Sequence, residues 1–469
     1  MKPILLIDFG STNTKVTAVD LDEEMILGTA ASYTTVETDI NEGLTSALEL
    51  LEGRTGKLDF EARYACSSAA GGLRMLGSGL VPELTAKAAK EAALGAGAKV
   101  LKIYSYELTE DDLEEIKEIS PDIFLLTGGT DGGNKDTIIA NAVKLASLPC
   151  DFPILVAGNR AAARACEKIL KESGKEAFVC ENVMPRLGEL NIVPVQKKIR
   201  EIFLERIIKA KGLDKAGELI EGIMMPTPAA VLNAMELLSK GTNKGEPGIG
   251  DLIGIDVGGA TTDIYSMAEG APERNNTVIK GIPEPFAKRT VEGDIGMRYS
   301  AAGIAQAAGT SAIENLSGLD GDRVWELLDY ISSETSAMPT DDDLKSLDFA
   351  LASLAVKIGT GRHAGISEKV YTPLGEAFMQ QGKDLTTVNK IIVTGGSLIH
   401  NDKVKEIASQ ALYSFDEVDS LRPLEAEILV DKKYILSAMG LLGQYEPDIA
   451  LRIMRKELVS YGTCKQEIK

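Results

Sequence analysis

The chain has only two histidines, His363 and His400, among its 469 residues. Two distant imidazoles cannot build a histidine-rich metal site, and they argue against a Ser-His-Asp triad. Its five cysteines are scattered without a C-x-x-C pair. An odd number of cysteines without metal-binding spacing predicts reduced thiols inside a cell.

Long apolar runs are also missing. The chain has no run of 18 apolar residues, and no apolar segment with a cleavage site near its start. These features predict a cytoplasmic protein without a membrane partner. The 50 basic residues are outnumbered by 70 acidic ones, giving a net charge of -20. This charge argues against a nucleic-acid partner but leaves ATP open, because a few local groups and Mg²⁺ can offset the global charge.

Strand and helix patterns alternate along the chain, which predicts α/β domains with central sheets. The length suits two or more domains. We predict a first lobe at residues 1–173, a mainly helical insert or connector at 174–250, a second lobe at 251–445 and a helical tail at 446–469. The turn-rich segment at 241–248 marks the main expected boundary.

One short pattern occurs once in each half. The first copy is IDFGSTNTK at residues 7–15, and the second is IDVGGATTD at residues 255–263. Each copy has an apolar strand ending in Asp, a turn of glycine and hydroxyl residues, and a second strand. A third element, LLTGGT at 125–130, resembles IVTGGS at 392–397. These ordered matches predict an internal duplication with a nucleotide held between the halves.

The composition of the two turns suits phosphate. Glycine lets the backbone approach a ligand closely, and successive N–H groups in such a turn form an anion-binding concavity. Hydroxyl groups add further donors. We expect nucleotide contacts from Gly10, Ser11, Thr12, Asn13, Thr14, Lys15, Gly258, Gly259, Ala260, Thr261, Thr262 and Asp263.

Asp8 and Asp256 end the first strands of the two copies, where carboxylates can hold Mg²⁺ directly or through its waters. We expect one of them to position the attacking water. Lys15 is expected to stabilise charge on the γ-phosphoryl group. The turns do not match a Walker A loop, and for either copy alone an ordinary hairpin turn is the alternative.

Further along the second half, Gly395, Gly396 and Ser397 follow a strand and would let a purine and ribose lie against the main chain. The alternative is a tight strand-to-helix turn. Asp294 would cap a helix at 294–308. Arg362, beside His363, would reach the nucleotide or end a helix.

Together, five segments resemble the MutL (GlmL) family, which is unrelated to the mismatch-repair protein of the same short name. They are DFGST at 8–12, SSAAGGLRM at 67–75, LTGGTDGGN at 126–134, DVGGATTD at 256–263 and TVEGDIGMR at 290–298. More broadly, the motif order is similar to that of actin, sugar kinases and Hsp70 chaperones. The resemblance implies duplicated ribonuclease-H-like (actin-like ATPase) domains with an ATP cleft between them. It also implies that Glu292 or Asp294 touches ribose or a metal-bound water, with capping by Asp294 as the alternative.

The family accompanies adenosylcobalamin-dependent glutamate mutase and related aminomutases. The resemblance therefore implies an ATP-hydrolysing chaperone that reactivates such an aminomutase by releasing damaged cobalamin through motion of the lobes. No Asp-x-His-x-x-Gly motif indicates direct cobalamin binding. Three alternatives stay open: a kinase of the sugar-kinase type that uses Asp263 as its catalytic carboxylate, an actin-like filament protein, and a nucleotide-sensing scaffold without hydrolysis.

Overall fold

The computed structural model describes residues 2–10, 13–34, 40–68, 73–210, 223–373 and 375–465. The chain divides into two compact units. Unit 1 contains Met1–Ala234, Gly281–Pro285 and Ser437–Ile453. Unit 2 contains Met235–Lys280, Phe286–Leu436 and Met454–Lys469.

Unit 1 combines strands and helices in alternation. Its strands are β1 (Pro3–Phe9), β2 (Asn13–Asp20), β3 (Met25–Tyr33), β4 (Ala62–Ser67), β5 (Arg74–Gly79), β6 (Lys99–Ser105), β7 (Ile123–Leu126), β8 (Ile154–Val156), β9 (Ala177–Val179) and β10 (Ile223–Pro226). Its helices are α1 (Ile40–Thr55), α2 (Lys87–Gly95), α3 (Glu110–Ile119), α4 (Asp136–Ser147), α5 (Arg160–Glu172) and α6 (Val193–Ala210), and α7 (Thr227–Lys240) begins here and ends in unit 2. A short π-helix, Pro82–Ala86, precedes α2.

The first sheet of unit 1 has the strand order β10-β4-β1-β2-β3. β1, β2 and β3 pair antiparallel, whereas β4 runs parallel to β1 and β10. β1 is buried along its whole length, because it is the central strand and both of its faces are covered. This order, with three antiparallel strands followed by two parallel ones, is that of a ribonuclease-H-like domain.

A second sheet of unit 1 lies between β4 and β10 in the chain. Its strands run parallel in the order β6-β5-β7-β8-β9. Leu76 and Phe124 pack with α3, α4 and α5 on one face, while Met75 and Leu125 pack with α2 and α6 on the other. This is the doubly wound 2-1-3-4-5 arrangement. The first lobe expected at 1–173 thus contains four of the five strands of this second sheet, and β9 lies beyond it.

Residues 174–250 differ from the expected helical insert. Val195 and Ile199 of α6 are buried in the core of unit 1, and β10 completes its first sheet. The sequence does not predict β10, because Ile-Met-Met-Pro is short and contains a proline, and both features weaken a strand pattern. The division between the units falls at Ala234, within α7, rather than in the turn at 241–248.

Unit 2 has the same mixed composition. Its strands are β11 (Leu252–Val257), β12 (Thr262–Met267), β13 (Thr277–Ile279), β14 (Ala287–Glu292), β15 (Ile366–Thr372), β16 (Gly375–Gln381), β17 (Lys390–Thr394), β18 (Glu425–Val430) and β19 (Val459–Lys465). Its helices are α8 (Ala301–Ala308), α9 (Thr310–Ser317), α10 (Gly321–Ser333), α11 (Asp342–His363), α12 (Gly396–Ile399) and α13 (Val404–Ser409). Two more helices, α14 (Leu436–Leu442) and α15 (Pro447–Glu457), have residues in both units.

The main sheet of unit 2 has the order β14-β12-β11-β17-β18-β19. β14, β12 and β11 pair antiparallel, and β17 and β18 continue parallel to β11. Five of these strands therefore repeat the order of the first sheet of unit 1. The duplicated ribonuclease-H-like fold expected for the α/β chain is confirmed. A smaller sheet contains β13, β16 and β15.

The expected helical tail at 446–469 is helical only in part. After α15, residues Val459–Lys465 form β19, which pairs antiparallel with β18 at the edge of the sheet. Most β19 side chains are exposed, so the strand has no clear hydrophobic alternation. Backbone hydrogen bonds to a neighbouring edge, rather than side-chain pattern, decide its conformation.

Candidate functional site

The two predicted phosphate turns have the same backbone closure. The amide of Gly10 donates to the Asn13 carbonyl at 3.1 Å, and the amide of Gly258 donates to the Thr261 carbonyl at 2.9 Å. The flanking strands also share one register, in which the aspartate of the first strand faces the last residue of the motif. The sequence repeat is therefore a structural repeat. Ser11 and Thr12 lie outside the described residues.

Not every hydroxyl of these motifs lies on a turn surface. Thr14 is fully buried, and its hydroxyl lies 3.1 Å from that of buried Thr34. Thr262 occupies the equivalent place in unit 2 and is also fully buried. The Thr261 hydroxyl donates to Asp263 at 3.2 Å. Thr14 and Thr262 consequently anchor the second strand of each hairpin inside its sheet.

Asp8 ends β1 and is only 4% exposed. Its Oδ1 accepts a hydrogen bond from the Thr227 hydroxyl at 2.6 Å, and its Oδ2 accepts one from the Ser437 hydroxyl at 3.0 Å. Cys66 Sγ lies 3.6 Å from Oδ1, and Lys15 Nζ lies 3.9 Å from Oδ2. Groups from four other parts of unit 1 thus converge on one carboxylate.

Strand order explains this convergence. β10, β4 and β1 are adjacent and parallel, so their carboxyl ends meet at one edge of the sheet. Asp8 is in register with Cys66, and Thr227 directly follows β10. Burial raises the pKa of the Cys66 thiol well above its usual value, and the nearby Asp8 carboxylate acts in the same direction. The thiol is therefore protonated and donates to Asp8.

In unit 2 the second turn is held by the segment that follows β14. The amides of Met297 and Arg298 donate to the carbonyls of Gly258 and Gly259 at 3.0 and 2.8 Å, and the Ser300 hydroxyl donates to the Ala260 carbonyl at 2.9 Å. Because a carbonyl and the following amide of a trans peptide point in opposite directions, the amides of residues 259–261 point away from this segment. The helix expected at 294–308 begins only at Ala301 because the preceding residues wrap the turn.

Asp256 ends β11, is half-buried, and faces Thr394 of β17. Gly395 follows at a φ of +95°, and a Cβ added there would lie 2.5 Å from the Val257 carbonyl oxygen and 2.7 Å from Asp256 Oδ1. A glycine is required here because the backbone of β17 approaches the end of β11 so closely. Gly396 and Ser397 then begin α12.

The TGG motif of the first half is not the counterpart of Gly395 and Gly396. Residues 127–129 follow β7 in the doubly wound sheet, whereas Gly395 and Gly396 follow β17 beside β11. The unit 1 strand equivalent to β17 is β4. The proposed third element of the duplication is therefore wrong, because similar glycine turns arise at the ends of unrelated parallel strands.

Asp263 forms a buried ion pair. Its Oδ1 lies 2.6 Å from Arg289 Nη2 and 2.7 Å from Nε, and Arg289 is only 4% exposed. Burial alone would lower the pKa of Arg289, but the adjacent Asp263 carboxylate raises it above the usual value. Asp263 thus neutralises a buried guanidinium, which argues against the catalytic role that a kinase would give it.

Arg362 joins the two acidic residues whose roles the sequence leaves open. Its guanidinium lies 2.7 Å from Glu292 and 2.9 Å from Asp294. The hydrogen bond from Arg362 lowers the pKa of Asp294. Asp294 does not cap α8, whose N-cap residue is Ser300. Arg362 itself lies in the last turn of α11, as one of the two interpretations predicted.

Within the ranges described above, His, Cys, Asp and Glu side chains nowhere form a group of three or more that could hold a metal ion. The described helices likewise include none that is long and apolar enough to cross a membrane.

Comparison with known proteins gives full-length matches. The family model described as "MutL protein" matches residues 4–458. A curated protein of Clostridium tetanomorphum, "Protein MutL", is 48% identical over 461 residues, covering 98% of this chain and 100% of that protein.

Solved structures are much more distant. An activator of 2-hydroxyisocaproyl-CoA dehydratase from Clostridium difficile, with bound ADPNP, is 11% identical at a TM-score of 0.30, with 97% of this chain and 98% of that one covered. A xylulose kinase from Bifidobacterium adolescentis is 10% identical at a TM-score of 0.33, with 99% and 97% covered. These scores are too low to support an argument, so the fold rests on the strand order of the chain itself. By the family match and the extent of its identity to a curated relative, this chain belongs to the MutL protein family.

Proposed function

We propose that this protein binds ATP with Mg²⁺ and hydrolyses it to ADP and phosphate. The observation that carries the proposal is the repeated turn, which has the same hydrogen-bond closure and an aspartate at the same position in both units. In the second turn, the outward-directed amides of residues 259–261 suit the oxygens of a polyphosphate. Lys15 lies beside the first turn and adds a positive charge for the same ligand.

The side chains of Asp8 and Asp256 suit Mg²⁺ better than a cation that is coordinated by protein ligands alone. Mg²⁺ usually keeps several waters and binds one or two carboxylates together with substrate phosphates. Asp8 retains acceptor capacity on Oδ2, which has two lone pairs and accepts one hydroxyl bond, whereas Oδ1 accepts from both Thr227 and Cys66. Asp8 or Asp256 would hold the ion, which would supply charge neutralisation on the phosphates.

In the proposed reaction, a water oxygen bonds to the γ-phosphorus while the bond from that phosphorus to the β–γ bridging oxygen breaks. Asp8 or Asp256 orients the water through hydrogen bonds, and the proton leaves with the phosphate product. Lys15 and the turn amides stabilise the charge on the transferred group. ADP and inorganic phosphate are the only products.

Asp8→Asn tests this assignment. We expect turnover of ATP, measured as released phosphate, to fall at least ~100-fold, because the neutral amide neither holds Mg²⁺ nor orients water as a carboxylate does. Asp20→Asn is the matched control, since Asp20 is also buried but lies at the far end of β2. Full turnover by the Asp8 variant, with normal folding, would refute the role of Asp8.

For the cellular role, we propose a chaperone that reactivates an adenosylcobalamin-dependent aminomutase through nucleotide-dependent conformational change. Membership of the MutL family and the motif set shared with that family support the proposal. The test is to inactivate glutamate mutase by turnover, then add this protein with ATP. Recovery of mutase activity that requires ATP and is absent with the Asp8→Asn variant is expected. Recovery without ATP, or no recovery by a protein that hydrolyses ATP, would contradict it.

A small-molecule kinase is the second candidate, and the buried pair of Asp263 with Arg289 counts against its proposed catalytic carboxylate. Measuring ATP turnover with candidate sugars and carboxylates separates the two functions. Stimulation by a metabolite, with formation of a phosphorylated product, would favour the kinase. Sedimentation with ATP in the same preparations would reveal filaments.

A further inference from the structure

We propose that Thr227 and Ser437 are positioning residues that hold the Asp8 carboxylate in one orientation for the reaction. By this inference Asp8 orients the attacking water. It rests on the proposed ATP hydrolysis, but the contact on which it depends can be tested without nucleotide.

The two hydroxyls fix the plane of the carboxylate. The χ2 torsion of an aspartate is broad, so a carboxylate without partners samples many orientations. Thr227 donates to Oδ1 at 2.6 Å and Ser437 donates to Oδ2 at 3.0 Å, so each oxygen has its own donor. Rotation about χ2 in either direction would break both bonds. Such fixed orientation is what a group that aligns a reacting water needs.

The donors are themselves well placed. Thr227 is the first residue of α7, and Ser437 is the second residue of α14. Short side chains on helices have few torsions to restrict, so little conformational entropy opposes the contacts. Ser437 is 8% exposed and Asp8 4%, so water competes little for these bonds.

The other contacts of Asp8 leave room for a ligand. Cys66 Sγ lies on the Oδ1 side at 3.6 Å, the same side as Thr227. On the Oδ2 side, Lys15 Nζ is 3.9 Å away, beyond hydrogen-bond distance. Oδ2 therefore keeps acceptor capacity next to a cation. This oxygen is the one best suited to accept from a metal-bound or attacking water.

The corresponding groups of unit 2 are arranged differently. Thr394 takes the register position of Cys66, and Asp431 follows β18 as Thr227 follows β10. The Thr394 hydroxyl bonds Asp431 Oδ2 at 3.2 Å rather than Asp256. Asp431 also accepts from the amides of residues 435 and 436, so it organises the start of α14. The Thr394 hydroxyl therefore contacts the aspartate that organises the start of α14.

The decisive comparison is Thr227→Val against Thr227→Ser. Valine keeps the shape but removes the donor, and serine restores it. For the valine variant we expect kcat for ATP to fall ~10–100-fold, the usual effect of losing a group that orients a ligand. The ATP KM should change less than ~3-fold. The serine variant should keep kcat within ~3-fold of the native value, and Ser437→Ala should resemble the valine variant.

Thr17→Val is the matched control, because Thr17 is a buried threonine of β2 away from Asp8. It should leave kcat unchanged. The inference would be overturned if Thr227→Val kept native kcat, if the serine and valine variants lost activity equally, or if only the ATP KM changed.

A double-mutant cycle tests the contact independently of ATP. Free energies of unfolding for Asp8→Ala, Thr227→Val and the double variant should be non-additive, because the two side chains share one hydrogen bond and each substitution removes it. Additive effects would overturn the positioning role whatever the nucleotide results. If the cycle is non-additive but the native protein hydrolyses no ATP, the proposed function fails while the contact stands.

Discussion

The buried imidazole of His363 shows how one residue makes stability depend on pH. Its Nδ1 lies 2.8 Å from the Thr290 hydroxyl, and the ring is fully buried. Burial lowers the pKa of His363 well below 6.5, and Lys288 and Lys383 act in the same direction. The folded state keeps the ring neutral, whereas the unfolded chain binds a proton below about pH 6.5.

We predict that the free energy of unfolding falls as the pH drops below about 6.5, by up to about 1.4 kcal/mol per pH unit from this group. The sign follows because the unfolded state binds the additional proton. Urea unfolding at several pH values between 7.5 and 5.5 measures the slope. His363→Asn should flatten it, while the same change at exposed His400 should not. An unchanged slope in the His363 variant would contradict the prediction.

At the scale of elements, the contact between β17 and the end of β11 depends on one glycine. Gly395 has φ +95° and ψ +136°, a conformation that L side chains rarely adopt. A Cβ there would also meet the backbone of Val257. A larger residue in place of Gly395 would therefore disturb the sheet before it could crowd a bound purine.

We predict that Gly395→Ala lowers the free energy of unfolding by roughly 2 kcal/mol or more, from backbone strain and steric contact. Gly396→Ala is the matched control, because nothing lies within 4 Å of its Cβ position. Chemical denaturation of both variants measures the difference. Equal stability of the two variants would show that the contact is not tight. A loss of nucleotide affinity in the Gly395 variant could then be attributed to crowding of the purine.

The same scale shows which elements could be predicted. β1, β2, β11 and β12 follow from apolar runs on both sides of glycine turns, a local property of the chain. The sequence also predicts helices at 323–333 and 344–359, and α10 (Gly321–Ser333) and α11 (Asp342–His363) lie there. Asp341 caps α11 by accepting from the Leu344 amide at 2.8 Å. β10 and β19 could not be predicted, because their conformation comes from pairing with β4 and β18.

For the whole molecule, the two compact units have separate hydrophobic cores. Phe124 belongs to a core of unit 1, and Leu351 to the core of unit 2, and both are fully buried. Chains with more than one core often unfold in more than one transition. The duplicated fold therefore has a direct thermodynamic consequence.

We predict at least two transitions in calorimetry. Phe124→Ala and Leu351→Ala should each cost about 2–5 kcal/mol, because each leaves a cavity, and should lower different transitions. ATP with Mg²⁺ should raise the transition of any unit that it binds. A single transition shifted equally by both substitutions would show that the units unfold as one.

The sequence by itself determined the repeated hairpins, the aspartate at the end of each first strand and the family. These are local features, since a glycine turn between apolar strands has the same form wherever it occurs. The order of strands was also implied, but only through the resemblance to a duplicated fold.

Only the tertiary structure decided which residues surround Asp8. Cys66, Thr227 and Ser437 are far apart in the chain and meet because parallel strands end, and two helices begin, at one edge of a sheet. It also separated the two TGG turns into different sheets and paired Asp263 with Arg289. Contacts between residues distant in sequence depend on sheet order and burial, which no short motif encodes.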